Sequence, residues 1–229
     1  SEVILICVPT PLSSDHKPDL RALTSAITTV GKNLKAGALL IVESTIEPGT
    51  CRNILLPLLI KESGLKVSDF ELAYSPERID PTNKKWSINN TPKLVAGLTE
   101  SAAKRAEEFY GKFIESITVC STLEIAETAK LLENTFRLVN ISFVNELAIF
   151  CQKSGIDVQE VISAAATKPY GFMPFYPSIG VGGHCIPVDP LYLANAAKLV
   201  GAPTRFIDLA DQVNQEMPGY FVARAEEKI

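Results

Sequence analysis

The feature that most constrains the fold of this chain is an apolar stripe near its middle. Apolar side chains recur there at spacings of three and four residues, and no glycine or proline interrupts the pattern before Gly155. Such spacing places the side chains on one face of an α-helix, so we predict one long helix of roughly eight or nine turns. Because the stripe is longer than one small sheet can cover, we expect part of it to be buried against a second subunit. Its members are Ile125, Ala129, Leu132, Phe136, Val139, Phe143, Leu147 and Phe150.

The residues before this helix alternate between apolar strands and amphipathic helices. Continuous apolar strands suit a sheet covered on both faces, and strand–helix alternation with short connections indicates a doubly wound, Rossmann-like α/β sheet. We therefore predict two domains, an α/β domain over 1–120 and an all-helical domain over 121–229. The predicted strands are Val3–Val8, Ala38–Val42, Phe70–Tyr74, Lys93–Ala96 and Ile117–Cys120. In the α/β domain we predict a helix over about 20–34 capped by Asp19, a second from Pro48 to Glu62, and a third that begins at a Thr99 cap. In the helical domain we predict helices over 121–154, from an Asp157 cap to Thr167, over about 190–200, and over 204–228 with a kink at Pro218.

Composition narrows the functional class. The net charge of -4 and the lack of a basic run argue against a nucleic-acid partner, and no apolar stretch is long enough to predict a membrane span. The five cysteines form no CxxC pair, and only His16 and His184 are histidines, so we expect reduced thiols, no metal site and a cytoplasmic location. We expect Cys7, Cys120 and Cys151 to be inert thiols on apolar faces.

The loop Gly180–Pro190, with the sequence GVGGHCIPVDP, is the strongest chemical signal. Its glycines, among them Gly182 and Gly183, let a backbone approach a ligand closely. Cys185 stands just before a predicted helix start, where a thiol is more readily a nucleophilic thiolate, and Asp189 can order a water or accept a proton. A proline- and glycine-rich turn that happens to contain a cysteine fits the spacing equally well.

Polar residues elsewhere suggest a ligand crevice. Lys130 and Asn134 lie one turn apart on the long helix and could hold a substrate oxygen, although alone this pattern is more typical of a solvated helix face. Three predicted strands end in polar segments, where doubly wound sheets bind ligands. These segments are Val8-Pro9-Thr10-Pro11, Glu43-Ser44-Thr45-Ile46 and Ser75-Pro76-Glu77-Arg78.

Together these motifs resemble the UDP-glucose/GDP-mannose dehydrogenase family. CVPTP, ESTIEPGT, YSPERIDP, ETAKLLENTFR and GVGGHCIPVDP occur in the family's order and cover essentially the whole chain. The residues of these motifs are similar to those of the branch that oxidises UDP-N-acetylhexosamines, whereas the glucose branch more often has Ser at position 184 and Lys at 188. The resemblance implies that these residues comprise the second half of an NAD-binding domain and the helical middle that forms a homodimer. They contain no GxGxxG motif, so we expect them alone to bind NAD weakly and to be inactive.

The resemblance also implies a reaction and its residues. A UDP-sugar C6 alcohol is oxidised to a carboxylate in two hydride transfers, through an aldehyde and a thioester on Cys185. Lys130 would stabilise the oxyanion, Asn134 and Asp189 would hold the sugar oxygen and water, and Glu77 would be the base for hydrolysis. Pro9, Thr10 and Thr45, with Glu77, would line the cofactor, while Arg78, Gly182 and Gly183, with Lys130 and Asn134, would contact the substrate.

Two alternatives remain open at this point. A β-hydroxyacid dehydrogenase also presents Lys and Asn four residues apart, but it transfers one hydride and needs no thiol. The chain could also be an inert dimerisation core, with its long helices packing between subunits. GGHCIPVDP favours the four-electron enzyme over the first alternative.

Overall fold

The computed structural model describes residues 2–80 and 82–227. It divides into two compact units, Ser1–Leu132 and Glu133–Ile229. The boundary falls inside α4, the 31-residue helix Leu123–Lys153, whose first turns belong to the first unit. The prediction of one long helix is therefore confirmed.

The first unit is built on a five-stranded sheet in which sequence neighbours are also spatial neighbours. The strands are β1 (Val3–Ile6), β2 (Leu39–Val42), β3 (Glu71–Tyr74), β4 (Lys93–Gly97) and β5 (Ile117–Val119). Strands β1, β2 and β3 are parallel and in register, with Ile6 opposite Val42 and Val42 opposite Tyr74. Their carboxyl ends therefore meet at one edge.

Helices cover both faces of this sheet. α1 (Arg21–Gly31) and α2 (Leu56–Ser63), which follows a π-helical turn at Cys51–Leu55, pack on one face, while α3 (Glu100–Tyr110) packs on the other. Alternate residues of β2 enter the two cores, because successive side chains of a strand point to opposite faces. A short 3-10 helix, Val67–Asp69, leads into β3. The predicted Rossmann-like architecture is confirmed.

The strand directions contain one feature that the sequence pattern did not predict. β4 runs antiparallel to β3, with Ala73 opposite Gly97, and β5 is parallel to β4. The described residues between β3 and β4, 75–80 and 82–92, form no crossover helix, and β4 enters the sheet from the edge at which β3 left it. Lys93, the first residue of β4, consequently lies at the edge where β1 to β3 end.

The second unit is helical. It contains most of α4, then α5 (Val158–Ala166), α6 (Asp189–Leu199) and α7 (Arg205–Glu226), which continues through Pro218. Each lies within a few residues of its predicted range. The Asp157 side chain accepts a hydrogen bond from the Gln159 N–H and caps α5 as predicted, and in the first unit Thr99 caps α3 through the Ala102 N–H.

Two predicted helix starts are wrong in detail. Pro48 lies in a turn before the π-helical segment, and Pro57 instead occupies the first turn of α2. Asp19 precedes the Leu20 N-cap of α1 by one residue, although its carboxylate still accepts from the Arg21 N–H at 3.0 Å. A proline or an aspartate in the sequence locates the start of a helix to within one turn, and tertiary packing determines at which residue the helix begins.

The apolar stripe of α4 lies on the exposed side of the helix. Phe143 is 65 % exposed, and Ile125, Leu132, Phe136 and Phe150 are exposed as well. The opposite face is buried and contains polar side chains, which are Glu127, Lys130, Thr135, Ser142 and Asn145.

In the part of the chain that the structure describes, no helix combines the length and apolar character needed to cross a membrane. Across residues 2–80 and 82–227, no group of three or more His, Cys, Asp or Glu side chains is arranged to hold a metal ion.

Candidate active site

The segments that follow β1 and β2 are joined side by side at the sheet edge. Thr10 Oγ1 donates to the main-chain oxygen of Thr45 at 2.7 Å, and Ser44 Oγ donates to the main-chain oxygen of Val8 at 2.7 Å. Pro9, between them, is exposed. The structure thus brings together Pro9, Thr10 and Thr45, which the sequence had placed on the cofactor side.

A buried lysine organises the acidic groups at the same edge. Lys93 is 6 % exposed, and its Nζ lies 3.1 Å from Glu43 Oε1 and 3.3 Å from Glu77 Oε2. The same ammonium sits 4.9 Å from the centre of the Tyr110 ring. Burial opposes ionisation of Glu43, but the Tyr110 hydroxyl donates to its carboxylate and Lys93 attracts it, so the pKa of Glu43 is lowered.

Glu77 is held in one orientation by groups on both of its carboxylate oxygens. Oε1 accepts from the backbone N–H groups of Arg78 and Ile79, at 2.7 and 2.8 Å, while Oε2 faces Lys93. Arg78 in turn donates to the main-chain oxygen of Pro92 at 2.6 Å. A carboxylate fixed in this way, with its side chain still 46 % exposed, can accept a proton from a bound water.

Cys7 differs from its prediction as a core thiol. It is exposed, and its Sγ donates to Glu43 Oε2 at 3.2 Å. Partial burial and the hydrogen bond to Glu43 raise the pKa of Cys7 to about 11. The thiol is therefore protonated at neutral pH and is a poor nucleophile. Of the other two cysteines predicted to be inert, Cys151 is buried and Cys120 is half-buried.

Lys130 lies on the buried face of α4. The residue is 8 % exposed, so the solvated-face interpretation of this position is wrong. Among residues 2–80 and 82–227 its ammonium has neither an ion-pair nor a hydrogen-bond partner. Since its Nζ is not fully buried, the ammonium reaches solvent at the end of a mostly buried side chain, where a ligand could approach it.

Asn134, one turn further along α4, lies in the second unit and contacts Asp189. Its Nδ2 donates to Asp189 Oδ2 at 2.6 Å, and Asp189, the first residue of α6, is 3 % exposed. The Asp189 N–H donates to the main-chain oxygen of Cys185 at 2.8 Å. The structure thus brings Asn134, Asp189 and the Cys185 backbone together.

The Cys185 thiol itself is exposed. It lies four residues before α6, next to a turn closed by hydrogen bonds from the Val188 and Asp189 N–H groups. Gly183 has φ +92°, a left-handed conformation that disfavours other residues, and a Cβ at Gly182 or Gly183 would meet no atom within 4 Å. This open stretch next to a thiol leaves room for a ligand.

The predicted site residues divide between the two units. Glu77 and Lys130 lie in the first unit with Pro9, Thr10, Thr45 and Arg78, and Asn134 and Cys185 lie in the second with Gly182, Gly183 and Asp189. Sequence reasoning missed Lys93 and Tyr110 as parts of the site. A lysine opening an otherwise apolar strand was the one available signal for Lys93.

Glu127, on the same helix as Lys130, has a structural role. It is fully buried, and its carboxylate accepts from the N–H groups of Gly49 at 2.5 Å and Cys51 at 3.1 Å, where the π-helical turn begins. Burial raises the pKa of the Glu127 carboxyl, and the two N–H donors oppose that shift. The carboxylate thus caps a turn nearly eighty residues away in sequence.

We expect Glu127→Ala to lower the free energy of unfolding by about 2–4 kcal/mol, because it leaves two buried N–H groups without an acceptor. Glu124→Ala is the matched control. Glu124 also binds this turn, through Arg52 at 2.6 Å, but that pair is more exposed and should contribute about 1 kcal/mol or less. Urea unfolding of both variants measures the difference, and equal losses would contradict the capping role.

Comparison with known proteins matches both halves of the chain to one family. Residues 1–114 match the UDP-glucose/GDP-mannose dehydrogenase family, NAD binding domain, and residues 124–216 match the central domain of the same family. A UDP-N-acetyl-D-glucosamine 6-dehydrogenase of Pseudomonas aeruginosa is 41 % identical over 224 residues, which are 97 % of this chain and 53 % of that protein.

Solved structures agree with this match. The chain superposes on a UDP-D-ManNAc dehydrogenase from Pyrococcus horikoshii with a TM-score of 0.92 and 39 % identity, covering 99 % of this chain and 53 % of that one. The chain therefore spans about half the length of the relatives it matches. The chain also superposes on a 3-hydroxyisobutyrate dehydrogenase from Mycobacterium tuberculosis with a TM-score of 0.64 and 14 % identity, over 96 % of this chain and 75 % of that one. That protein shares the fold alone.

Proposed function

Because the chain belongs to the UDP-glucose/GDP-mannose dehydrogenase family, we propose that the complete protein oxidises the C6 alcohol of a UDP-N-acetylhexosamine to the uronic acid. The observation that carries the proposal is the exposed Cys185 thiol, whose backbone is fixed by Asp189, itself bonded to Asn134. A positioned nucleophile is what a four-electron oxidation needs and a two-electron oxidation does not.

Residues 1–114 match an NAD-binding domain, so NAD is the cofactor. The residues of this chain fit the binding of one part of the NAD molecule. Pro9, Thr10 and Thr45, joined at the carboxyl ends of two parallel strands, would hold the nicotinamide side, with Glu77 after β3 at the same sheet edge. No GxGxxG turn for the pyrophosphate occurs in these 229 residues. When bound, NAD accepts the hydrides, one for each of two molecules.

In the first oxidation the C6 alcohol loses a hydride and a proton and becomes an aldehyde. We assign to Lys130 the stabilisation of the negative charge on the reacting oxygen, since its ammonium, at the end of a mostly buried side chain, has no partner of its own in the described chain. Asn134 and Asp189, held together at 2.6 Å, would orient the sugar oxygen and a water.

The second oxidation uses the thiol. The Cys185 sulfur forms a bond to the aldehyde carbon, the carbonyl electron pair moves to oxygen, and the proton of the thiol passes to that oxygen, giving a thiohemiacetal. Loss of a second hydride and of the hydroxyl proton leaves a thioester. Glu77 then takes a proton from water, the water oxygen bonds to the acyl carbon, and the carbon–sulfur bond breaks. The carboxylate leaves and the thiol is restored, so one water and two NAD are consumed for each sugar.

The substrate class rests on the relatives and on the catalytic loop. The relatives described above are named for UDP-N-acetylglucosamine and UDP-ManNAc. His184 and Val188 flank the nucleophile where the glucose branch more often has Ser and Lys. We propose that the uronic acid serves as a precursor for surface polysaccharide. We also propose a cytoplasmic location, which the five unpaired cysteines support.

We expect the complete protein to reduce NAD with a UDP-N-acetylhexosamine at least about tenfold faster, as kcat/KM, than with UDP-glucose, since one lost polar contact to the acetamide costs about this much. NADH formation with UDP-GlcNAc, UDP-ManNAc, UDP-GalNAc and UDP-glucose, followed by chromatography of the acid, tests this. A preference for UDP-glucose would overturn the substrate assignment while leaving the reaction type standing.

We also propose that the complete protein is a homodimer through its central helices. The exposed stripe of α4 supports this, since a monomer rarely leaves such an apolar surface in water. Phe136 and Phe143 also line an apolar cavity of about 540 Å³ with α5 and Phe172 in the second unit, so the apolar surface extends beyond the helix.

We expect Phe143→Glu to convert the dimer to monomer at micromolar concentration, because it places a charge at the centre of a buried apolar patch. Arg137→Glu is the matched control, because Arg137 is also exposed on α4 but lies roughly 120° around the helix from Phe143. Sedimentation velocity measures both. A wild-type monomer, or dimers in both variants, would refute this interface.

A further inference from the structure

We infer that Asn214, on α7, is a positioning residue for Cys185. The inference rests on the proposed function and adds a part of the machinery that lies outside the motifs described above. Asn214 holds the backbone of the Gly180–Pro190 loop four residues before the thiol, and Asn145 on α4 holds the chain at Ser178, just before that loop.

Asn214 pairs with both polar groups of a single loop residue. Its Oδ1 accepts from the Val181 N–H at 2.7 Å, and its Nδ2 donates to the Val181 main-chain oxygen at 3.1 Å. The side chain thus pairs with Val181 as a neighbouring β-strand would. Asn214 is 7 % exposed, so water competes little for these two bonds.

The loop approaches α7 closely at this point. Gly180 has φ +116°, and a Cβ built there would lie 3.1 Å from the main-chain oxygen of Asn214. Only glycine allows both the left-handed conformation and this approach without a shift of the backbone. The contact therefore fixes the distance between the loop and α7 as well as the alignment of the loop residues along that helix.

A second amide fixes the start of the loop. Asn145 is fully buried, and its Oδ1 accepts from the Ser178 N–H at 2.8 Å. Ser142, one turn earlier on α4, donates to the main-chain oxygen of Ala210 at 2.7 Å, one turn before Asn214 on α7. The two helices that carry the amides are thus bonded to each other, and the distance between the two anchor points is set.

On the C-terminal side of the loop, the start of α6 holds the Cys185 backbone. The Cys185 main-chain oxygen accepts from the Asp189 N–H, and Asp189 accepts from Asn134. Between the anchor at Val181 and the turn at Cys185 lie three residues, of which Gly182 and Gly183 have no side chain. Those glycines do not by themselves fix the path of the loop, so the anchor at Val181 and the turn at Cys185 together set where the Cys185 backbone lies.

Loss of this register should affect the two oxidations differently. The first hydride transfer does not use the thiol, whereas the second requires the sulfur to reach the aldehyde carbon. A displacement of about 1 Å can lower the rate of a positioned step by about 10- to 100-fold. Asn214→Leu keeps the branching and number of side-chain heavy atoms and removes both bonds to Val181. Asn214→Asp keeps the acceptor for the Val181 N–H and removes the donor to its oxygen.

The test compares two rates in the complete protein. The first is the single-turnover rate of NADH formation from the C6 alcohol, and the second is the rate of acid formation from the C6 aldehyde supplied directly. A loss of fold lowers the active fraction and both rates together, so their ratio reports positioning. We expect the ratio of the second rate to the first to fall about 10- to 100-fold in Asn214→Leu and less in Asn214→Asp. Gln215→Leu, at an exposed amide on the same helix, should leave it unchanged.

An unchanged ratio in Asn214→Leu, or an equal fall in Gln215→Leu, would overturn the positioning role. If Asn214→Leu does not fold, the same ratio in Asn214→Asp decides. Cys185→Ala, measured in parallel, separates this inference from the proposed function. If Cys185→Ala still converts the aldehyde to the acid, the covalent mechanism of the proposed function has failed. If Cys185→Ala loses acid formation and Asn214→Leu retains it, only the positioning role has failed.

Discussion

Cys185→Ala should lower the rate of uronic-acid formation by a factor on the order of 10³ or more, the scale of effect seen when a covalent nucleophile is removed. The variant keeps the binding surface for sugar and cofactor, so the first hydride transfer should survive at least in part. The aldehyde, or its hydrate, should then accumulate. Cys185→Ser can still add to the aldehyde, but an ester is a poorer acyl donor than a thioester, so this variant should stall after the second hydride.

NADH stoichiometry and product analysis distinguish the three enzymes. Cys120→Ala is a suitable control, since Cys120 is a half-buried thiol whose pKa burial raises, and it should retain wild-type acid formation. Acid formation by Cys185→Ala at nearly the wild-type rate would make Cys185 a structural thiol. The family assignment would survive that result, but the covalent mechanism would not.

Lys130→Met should lower kcat for both oxidations by about 10²- to 10³-fold, because a single oxyanion donor is typically worth that much. Negative charge develops on the same substrate oxygen in each step, so the two rates should fall together, unlike those of Cys185→Ala. Methionine has a similar volume and no charge. Since Lys130 is buried without a partner among the described residues, its loss should not lower the melting temperature.

A rate loss with unchanged or raised thermal stability is what separates this role from a structural one. Lys153→Met, an exposed substitution at the end of the same helix, is the control and should leave both activity and stability unchanged. A large fall in melting temperature with a proportional fall in activity would identify Lys130 as a structural residue.

The sequence predicted the elements of this protein well because strand and helix periodicity are local properties. It could not show which face of α4 is buried. The apolar stripe through Phe143 is exposed in a single chain, and Glu127 and Lys130 face inward. The buried face combines apolar residues such as Leu131 and Leu138 with polar ones, and Glu127 on that face binds two backbone donors at the start of the π-helical turn, nearly eighty positions away. No helical spacing rule contains that information.

The candidate site was predictable to the extent that it consists of motifs. Cys185, Asn134 and Asp189 come from two motifs, and hydrogen bonds join Asn134 to Asp189 and Asp189 to the Cys185 backbone. Other contacts around the predicted residues were not predictable from those motifs. Lys93 reaches Glu77 because β4 enters the sheet antiparallel, and Asn214 reaches Val181 because of the close approach at Gly180. Both depend on strand direction or helix packing, which a single sequence does not specify.

The measurement that most directly tests the central claim is the number of NADH formed per sugar by the wild-type complete protein, with the product identified by mass spectrometry. Oxidation of an alcohol to an acid removes four electrons, so the account predicts two NADH and a uronic acid for each UDP-N-acetylhexosamine consumed. One NADH with a stable aldehyde or ketone would contradict it. That result would replace the thioester mechanism with a single oxidation of the β-hydroxyacid dehydrogenase type.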